Sequence, residues 1–191
     1  MTTLHRMLAT GIVALTALAG TSVHAAFELV TNGGFETGDF TGWTTVDAPG
    51  LTSMYGVDTA GPHSGSYSAF FGGSGPGRDS ISQTLATVAG QPYLLSFSFD
   101  NGGGTTAGSF TASLGGTTVY TAPSTSFAFA PVSFLFNATT NNSVLTFSGF
   151  NTTGFYTLDN VSIAAVPEPE TYALFMLGLL TVGAWSRRRR G

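Results

Sequence analysis

The sequence predicts an all-β protein: a single antiparallel β-sandwich of the jelly-roll type, flanked by an N-terminal signal-peptide helix and a short C-terminal hydrophobic helix. Three observations support this. Apolar and polar residues alternate along the middle of the chain, as in "YLLSFSFD", which is typical of half-buried strands. Clusters of Gly and Asn separate about nine or ten such runs, a spacing typical of sandwiches. Uncharged apolar runs stand at the two ends of the chain.

The first element, residues 1–25, is predicted to be a secretory signal peptide. His5 and Arg6 form a weakly positive start, and residues 7–19 form an apolar run. The small residues around Ala25 form a cleavage site, so we expect cleavage between Ala25 and Ala26. The alternative is a retained membrane anchor, which the short apolar run disfavours. This segment predicts export through the Sec machinery.

The second element, residues 26–165, is predicted to be the jelly-roll domain. Its strands include "SISQTLATV", "SVLTFSGF" and "YTLDNVSI", and "SFAFAPVSFLF" is predicted as two short strands broken at Pro131. About 140 residues are enough for such a sandwich to bury a core. In "YLLSFSFD", we expect Tyr93, Leu95, Phe97 and Phe99 to share one face.

Charge narrows the possible functions of this domain. Charged residues make up only 8% of the chain, and the sequence contains neither lysine nor cysteine. Between residues 27 and 165 the only basic side chain is Arg78, which gives a net charge of one minus eight, or −7. The eight acids are Glu28, Glu36, Asp39, Asp47, Asp58, Asp79, Asp100 and Asp159. A domain with one cation cannot neutralise a run of phosphates, so we expect no nucleic-acid partner.

The third element, residues 166–191, combines three features at the end of the chain. Pro167, Glu168 and Pro169 form a turn, and residues 171–185 carry no charge. An arginine cluster follows: Arg187, Arg188, Arg189 and Arg190. As a helix the apolar run would extend roughly 22 Å, short of the ~30 Å hydrocarbon core. The arginines would stay cytoplasmic, so we expect transient anchoring in the inner membrane.

This order of features resembles the PEP-CTERM sorting signal of Gram-negative bacteria. The resemblance implies processing near Pro167, Glu168 and Pro169 by an exosortase, an integral membrane enzyme. It also implies delivery to the cell surface or to an exopolysaccharide matrix. The alternative is a simple C-terminal anchor.

Two stretches at the ends of the middle domain carry a second resemblance. "LVTNGGFETGDFTGWT" opens the domain and "YTLDNVSI" closes it. The pair resembles the opening and closing segments of jelly-roll domains related to carbohydrate-binding modules. The resemblance implies the fold, and it implies a carbohydrate ligand only loosely.

Asp159 is the first candidate site residue. It shares strand parity with Val161 and Ile163, so its carboxylate should point inward and needs a partner. Arg78 is one possible partner, and a metal ion is the other. Ca²⁺ prefers carboxylate and carbonyl oxygens, and Glu36 in the glycine-rich opening loop is the natural second carboxylate. Carbohydrate-binding jelly rolls often carry a structural calcium in such segments, so we predict a structural Ca²⁺ held by Glu36 and Asp159. The alternative is that both carboxylates accept backbone N–H bonds without a metal.

Other side chains give weaker indications. We expect Trp43 to pack in the core beside Phe35 and Phe40, and His63 to lie in an exposed loop. The candidates for an exposed stacking platform are the tyrosines Tyr55, Tyr67, Tyr120 and Tyr156. We predict no catalytic residue, because no nucleophile elbow precedes a helix. The sequence alone names no ligand-binding residue.

Together these features predict a non-catalytic surface or matrix protein that binds carbohydrate, with the cell's own exopolysaccharide as its partner. One alternative is a structural matrix or biofilm protein without a specific ligand, and another is a small surface glycoside hydrolase. A binding module should show exposed aromatic rings beside Asn, Gln or Asp side chains. A structural protein should show an uninterrupted Ser/Thr face. A hydrolase should show two acids facing each other across a groove.

Overall fold

The computed structural model describes residues 28–50, 52–74, 77–102, 108–166 and 177–180. Within these ranges the chain forms ten β-strands, which confirms the all-β prediction. They are β1 (Thr44–Val46), β2 (Thr52–Asp58), β3 (Ser68–Ser74), β4 (Asp79–Leu85), β5 (Pro92–Asn101), β6 (Ser109–Leu114), β7 (Thr117–Thr121), β8 (Phe127–Asn137), β9 (Ser143–Phe150) and β10 (Tyr156–Ala165).

The strands form two five-stranded sheets that pack as a sandwich. Sheet A has the order β1-β4-β9-β6-β7, and sheet B has the order β2-β3-β10-β5-β8. Neighbouring strands pair antiparallel in both sheets. Because side chains alternate along each strand, one face of each sheet is apolar and covers the other sheet.

Aromatic rings fill much of the space between the sheets. Tyr93, Leu95, Phe97 and Phe99 of β5 are buried, as the alternation in "YLLSFSFD" predicts. The ring of Phe99 lies 4.3 Å from that of Phe110 on sheet A, measured between centroids. Such pairs contribute about 0.5–1.5 kcal/mol each beyond the area that they bury. They tie sheet B, which carries the candidate site, to sheet A.

The prediction of two strands broken at Pro131 is wrong. β8 runs without interruption through Pro131, which pairs with Ser98 of β5. β8 is the edge strand of sheet B. Proline is tolerated there because its missing N–H can face the open side of the edge.

The opening segment lies directly on the closing strand. Leu29 N donates to Ile163 O at 3.1 Å, and Val161 N donates to Gly33 O at 2.9 Å. A side chain at Gly33 would overlap the carbonyl oxygen of Val161, so glycine is required for this close approach. β10 itself lies between β3 and β5 in the middle of sheet B.

The predicted terminal segments lie mostly outside the described residues. The signal peptide with its cleavage site at Ala25 and Ala26, the turn of Pro167, Glu168 and Pro169, and the cluster of Arg187, Arg188, Arg189 and Arg190 all fall there. Of the predicted C-terminal helix, residues 177–180 are described and are helical. Within the described ranges, no helix has the length and apolar character needed to cross a membrane.

Candidate functional site

A groove of about 490 Å³ lies on the outer face of sheet B. We call it the outer groove. It is lined by Met54, Asp58, Ala60, Gly61, Ser68, Phe70, Asp100, Phe129, Phe155 and Thr157. These residues come from β2, β3, β5, β8 and β10 and from the loops beside them, so the whole width of the sheet builds the groove.

Strand register sets the row at the centre of the outer groove. Phe70 of β3 pairs with Thr157 of β10, and Thr157 pairs with Asp100 of β5. The sequence neighbours Phe71 and Phe99 are buried between the sheets. Since successive side chains point to opposite faces, Phe70 and Asp100 are directed outward.

Two glycines leave room for aromatic rings against this face. A Cβ at Gly56 would come within 2.9 Å of Cζ of Phe70, and one at Gly72 within 2.5 Å of Cε1 of Phe155. The two rings therefore occupy the space that side chains on β2 and β3 would take. Phe155 remains 42% exposed, so its ring offers an apolar surface to a ligand.

A second recess of about 290 Å³ adjoins the outer groove. We call it the side recess; it is lined by Thr52, Met54, Gly73, Ser74, Asn151, Thr152, Thr153, Gly154 and Phe155. Met54 and Phe155 line both cavities.

Two buried polar atoms beside these cavities lack a hydrogen-bond partner. They are Oγ of Ser68, in the lining of the outer groove, and Nδ2 of Asn151, in the lining of the side recess. Both residues are almost completely buried. Such atoms are rare in folded proteins and occur where water or a ligand completes the hydrogen bonding.

The charge of the outer groove is negative. Asp58 Oδ1 accepts the N–H of Ala60 at 3.0 Å. Burial raises the pKa of Asp100 above its ordinary value, against a smaller lowering by the backbone N–H of Gly102. Among the described residues, Arg78 is the only Lys or Arg side chain, and it is not part of the lining.

The two acids of the outer groove do not form a glycosidase pair. Asp58 lies on β2 and Asp100 on β5, with β3 and β10 between them. The strand spacing and the register offset separate the two backbones by about 16 Å. Aspartate side chains stand roughly perpendicular to a sheet, so they do not close this gap to the ~5–9.5 Å between carboxyl groups in glycosidases.

Asp159 is fully buried, but the prediction that it shares the inward parity of Val161 and Ile163 is wrong, because the strand register shifts between Asp159 and Ser162. Asp159 pairs with Ser98, which lies between the buried Phe97 and Phe99, so its side chain is on the outer face of sheet B. The loop between β2 and β3 covers it there, and Asn160 in the bulge has a φ of 52°. Asp159 Oδ2 accepts the backbone N–H groups of His63 and Ser64, each at 2.9 Å. The carboxylate thus anchors the loop between β2 and β3 to the closing strand.

Glu36 holds the next part of the same loop. Its carboxylate accepts the N–H of Ser66 at 3.0 Å from both oxygens and that of Tyr67 at 3.2 Å. A Cβ at Gly34 would lie 3.7 Å from Cγ of Glu36 and 3.9 Å from Oδ1 of Asp159. The structure therefore brings both predicted ligand residues together around Gly34.

The backbone already occupies most of the acceptor capacity of Glu36 and Asp159. A carboxylate offers about four acceptor positions, and three contacts from backbone N–H groups reach each of the two. Within the described part of the chain, no three His, Asp or Glu side chains gather closely enough to hold a metal ion. Carbonyl oxygens would therefore have to complete the shell that Ca²⁺ requires. The calcium site stays a prediction.

The prediction for Trp43 is confirmed, and that for the tyrosines is wrong. Trp43 is 8% exposed, and its ring stacks on Phe35 with centroids 5.8 Å apart. Tyr156 is buried, and the other three candidates pack against the core: Tyr55, Tyr67 and Tyr120. Their apolar rings fall on the inward parity of their strands or against the opening loop, so they form no exposed platform.

His63 lies in an exposed loop, as predicted. Its ring meets that of Phe129 with centroids 5.0 Å apart, and its Nδ1 lies 2.9 Å from Nδ2 of Asn160. The loop therefore forms one wall beside the outer groove.

The sequence reasoning missed the aromatic residues of the groove, Phe70, Phe129 and Phe155. A signal for one of them was present. Phe70 and Phe71 are consecutive in a strand, so one of the two rings has to face outward. For Phe155, which lies before β10, the sequence pattern carried no comparable signal.

Comparison with solved structures shows the fold. The chain is similar to a carbohydrate-binding module, TmCBM61, solved in complex with β-1,4-galactotriose, at 18% identity and a TM-score of 0.56, covering 73% of this chain and 99% of that one. It is also similar to the CBM22-1 xylan-binding domain of Xyn10C from Paenibacillus barcinonensis, at 17% identity and a TM-score of 0.55, covering 75% and 97%. These likenesses confirm the predicted jelly-roll sandwich.

A third similar structure is the enzymatically active domain of tailspike protein 4 from bacteriophage CBA120. Its identity is 18% and its TM-score 0.58, and the match covers 73% of this chain. This chain spans only about a fifth, 21%, of the tailspike domain. No curated protein matches the chain in sequence.

The end of the chain matches a known family model. Residues 165–190 match the PEP-CTERM protein-sorting motif, which confirms the resemblance found in the sequence. The motif indicates an exported protein that is sorted to the cell surface.

Proposed function

We propose that this chain is a non-catalytic carbohydrate-binding protein of the cell surface or the extracellular matrix, and that it binds a glycan in the outer groove. The observation that carries the proposal is the pair of outward-facing rings, Phe70 and Phe155, beside Asp58 and Asp100. Exposed aromatic rings beside polar side chains are what a binding module was expected to show.

The chemistry of the outer groove suits a sugar chain. The apolar face of a pyranose ring packs on aromatic rings, which bury a large area at low entropic cost. Hydroxyl groups of the sugar would donate to the carboxylates of Asp58 and Asp100, whose acceptor capacity exceeds the single backbone N–H that each binds. The fold shared with modules whose names record xylan or galactotriose supports the same assignment.

The sorting motif supports a location outside the cytoplasm for the proposed binding. We propose that the Sec machinery exports the chain, that its C-terminal segment rests transiently in the inner membrane, and that an exosortase processes it near Pro167, Glu168 and Pro169. The natural ligand at such a location is the cell's own exopolysaccharide.

A glycan array probed with the full-length chain tests the proposal. We expect saturable binding to one class of polysaccharide. The double variant Phe70→Ala/Phe155→Ala should lose it, whereas Phe134→Ala, which removes a comparably exposed ring on the edge strand β8, should retain it. A blank array from a folded sample would overturn the proposal.

A specific observation favours a second candidate, a structural matrix protein. Hydroxyl groups form a row across the outer face of sheet A. The row crosses all five strands in register: Thr44, Ser82, Thr146, Ser113 and Thr118. The exposed Val46 and Val144 interrupt this face, so it matches the uninterrupted face expected of a structural protein only in part. A blank glycan array would make the structural protein the better account.

We also propose that Glu36 and Asp159 are the side-chain ligands of a structural Ca²⁺. The carboxylate of Asp159 and Cγ of Glu36 both lie beside Gly34, and Arg78, the only Lys or Arg in the described part of the chain, is exposed next to β4 of the other sheet. Bound calcium would add a link between the opening loop and the closing strand. Calorimetry with and without Ca²⁺ tests this separately from glycan binding.

A further inference from the structure

We infer that the glycan of the outer groove carries protonated amino groups: it is a polymer of amino sugars that are at least partly unacylated, and uronate polymers are excluded. This inference rests on the proposed function, and it names the class of ligand for the same groove. It is carried by the placement of Asp58 and Asp100 beside the rings of Phe70 and Phe155, which we call the aromatic floor.

The first step is the sign of the charge in the outer groove. Its two ionisable lining residues are both aspartates. The nearest balancing charge would have to be Arg78, the only Lys or Arg among the described residues, which precedes β4 of sheet A and is exposed. The outer groove lies on the opposite sheet. A uronate carboxylate placed there would meet two like charges and no cation.

The second step is the unused acceptor capacity of these carboxylates. Asp58 is bonded to the N–H of Ala60 and Asp100 to that of Gly102. A carboxylate offers about four acceptor positions, so both aspartates have capacity left for a ligand beyond these bonds from described residues. An ammonium group supplies three donors and a full positive charge, and charge-assisted hydrogen bonds are about twice as strong as neutral ones.

The third step is partial burial. Burial raises the pKa of Asp100, which means that its surroundings disfavour an uncompensated negative charge. A cation bound next to it relieves this penalty, and a neutral hydroxyl does so less. The rings of Phe70 and Phe155 add a second attraction, because the faces of aromatic rings bind cations.

The arrangement of these groups matches a repeating polymer. Asp58 and Asp100 stand about 16 Å apart at the backbone, with Phe70 between them in the sheet. One ammonium cannot reach both carboxylates. A chain of amino sugars can place one ammonium group at each aspartate while the sugar ring between them packs on the rings of Phe70 and Phe155.

Titration calorimetry with the full-length chain tests the inference. The probes are a glucosamine hexamer, an N-acetylglucosamine hexamer with the same linkages and no charge, and a galacturonate hexamer. At neutral pH and physiological salt we expect the glucosamine hexamer to bind at least tenfold more tightly than the acetylated one, and the galacturonate hexamer not to bind.

Charge variants separate the groove from the general negative charge of the domain. Asp58→Asn/Asp100→Asn should reduce the affinity for the glucosamine hexamer to that for the acetylated hexamer. Asp47→Asn removes a surface carboxylate that accepts a hydrogen bond from the hydroxyl of Tyr55 and does not line the groove. This variant should keep the preference for the glucosamine hexamer over the acetylated one. Loss of this preference in the Asp47→Asn variant would show that the net negative charge of the domain, rather than the groove, attracts the amino sugars, and would overturn the inference.

The failures of the two proposals can be told apart. Equal binding of the amino and acetylated hexamers, or binding of the galacturonate hexamer, overturns the inference while a glycan-binding groove remains. Binding of none of the three together with a blank glycan array overturns both.

Discussion

The ring of Phe155 stands edge-on to the ring of Phe70, with centroids 5.4 Å apart and planes at 87°. Each ring also lies over a glycine, Gly72 and Gly56 respectively. The rings therefore hold each other in place before any ligand arrives. Preorganisation of this kind lowers the ordering cost of binding.

Removing the exposed ring should weaken glycan binding without unfolding the domain. Phe155→Ala removes one stacking surface and the edge contact to Phe70, so we expect about a tenfold loss of affinity, or about 1.4 kcal/mol. Titration calorimetry with the glycan identified on the array measures this. Phe134→Ala is the matched control, because Phe134 is 37% exposed on the edge strand β8, outside the groove lining. Equal losses in the two variants would contradict a role for Phe155 in the groove.

A methyl group at Gly72 should displace the ring of Phe155. The added Cβ would lie within 2.5 Å of Cε1 of Phe155, so the ring has to swing away from the sheet. Gly72→Ala should therefore lower glycan affinity by about as much as Phe155→Ala, since alanine itself is accommodated in a strand. Phe134→Ala, outside the groove lining, is again the control and should change affinity little. A Gly72→Ala variant with unchanged affinity would show that the position of the ring is unimportant.

Asp159 should be the most sensitive acid for stability. Asp159→Ala removes a fully buried carboxylate and leaves the part-buried N–H groups of His63 and Ser64 without their acceptor. Each unsatisfied donor costs about 1–3 kcal/mol, so we expect the free energy of unfolding to fall by about 3 kcal/mol. Urea denaturation measures the change. The control is Asp47→Ala, an exposed acid bonded to one hydroxyl, which should lose far less.

Calcium should raise the thermal stability of the chain if Glu36 and Asp159 hold it. A ligand that binds only the folded state at a hundred times its dissociation constant adds about 2.7 kcal/mol. We expect a higher melting temperature with Ca²⁺ than with chelator, and Glu36→Gln should abolish the difference. Identical melting curves for the unchanged chain in both conditions would remove the calcium proposal.

Acidification should weaken binding of an amino glycan. Burial raises the pKa of Asp100, so this carboxylate becomes protonated at a higher pH than an ordinary aspartate. The other titratable groups around the groove are Asp58 in its lining and His63 beside Phe129. Affinity for the glucosamine hexamer should therefore begin to fall above the usual aspartate range. Asp100→Asn should remove that part of the pH profile, and a variant profile identical to the original would exclude Asp100.

The raised pKa of Asp100 affects folding in the opposite direction: acid pH weakens glycan binding but favours the folded state at this residue. Because the folded-state pKa of Asp100 is the higher one, its contribution to stability is present at acid pH and is lost as the pH rises through that value. Asp100→Asn should flatten this dependence in denaturation measured across pH. A bound ammonium offsets the same penalty.

Local pattern was sufficient for the sandwich and for its core. Alternation in β5 predicts Phe97 and Phe99 inside, as found, whereas parity in β10 fails for Asp159 because of the bulge between Asp159 and Ser162. The outer groove depends on sheet order, which brings Phe70 of β3 and Asp100 of β5 to either side of Thr157. Such pairing joins residues far apart in sequence, so periodicity could not reveal it. For the same reason the sequence pattern predicts a strand break at Pro131, because only the sheet order shows that β8 is an edge strand, where proline is tolerated.

The position of β10 has a mechanical consequence. The sorting motif begins at residue 165, the last residue of β10, and β10 is hydrogen-bonded to β3 on one side and β5 on the other. Any tension that enters through the C-terminal end acts along a central strand. Pairing with β5 along most of β10, and with β3 over Tyr156–Leu158, then resists shear together, whereas an edge strand could peel away one bond at a time. A domain tethered through this end would keep its outer groove intact under flow.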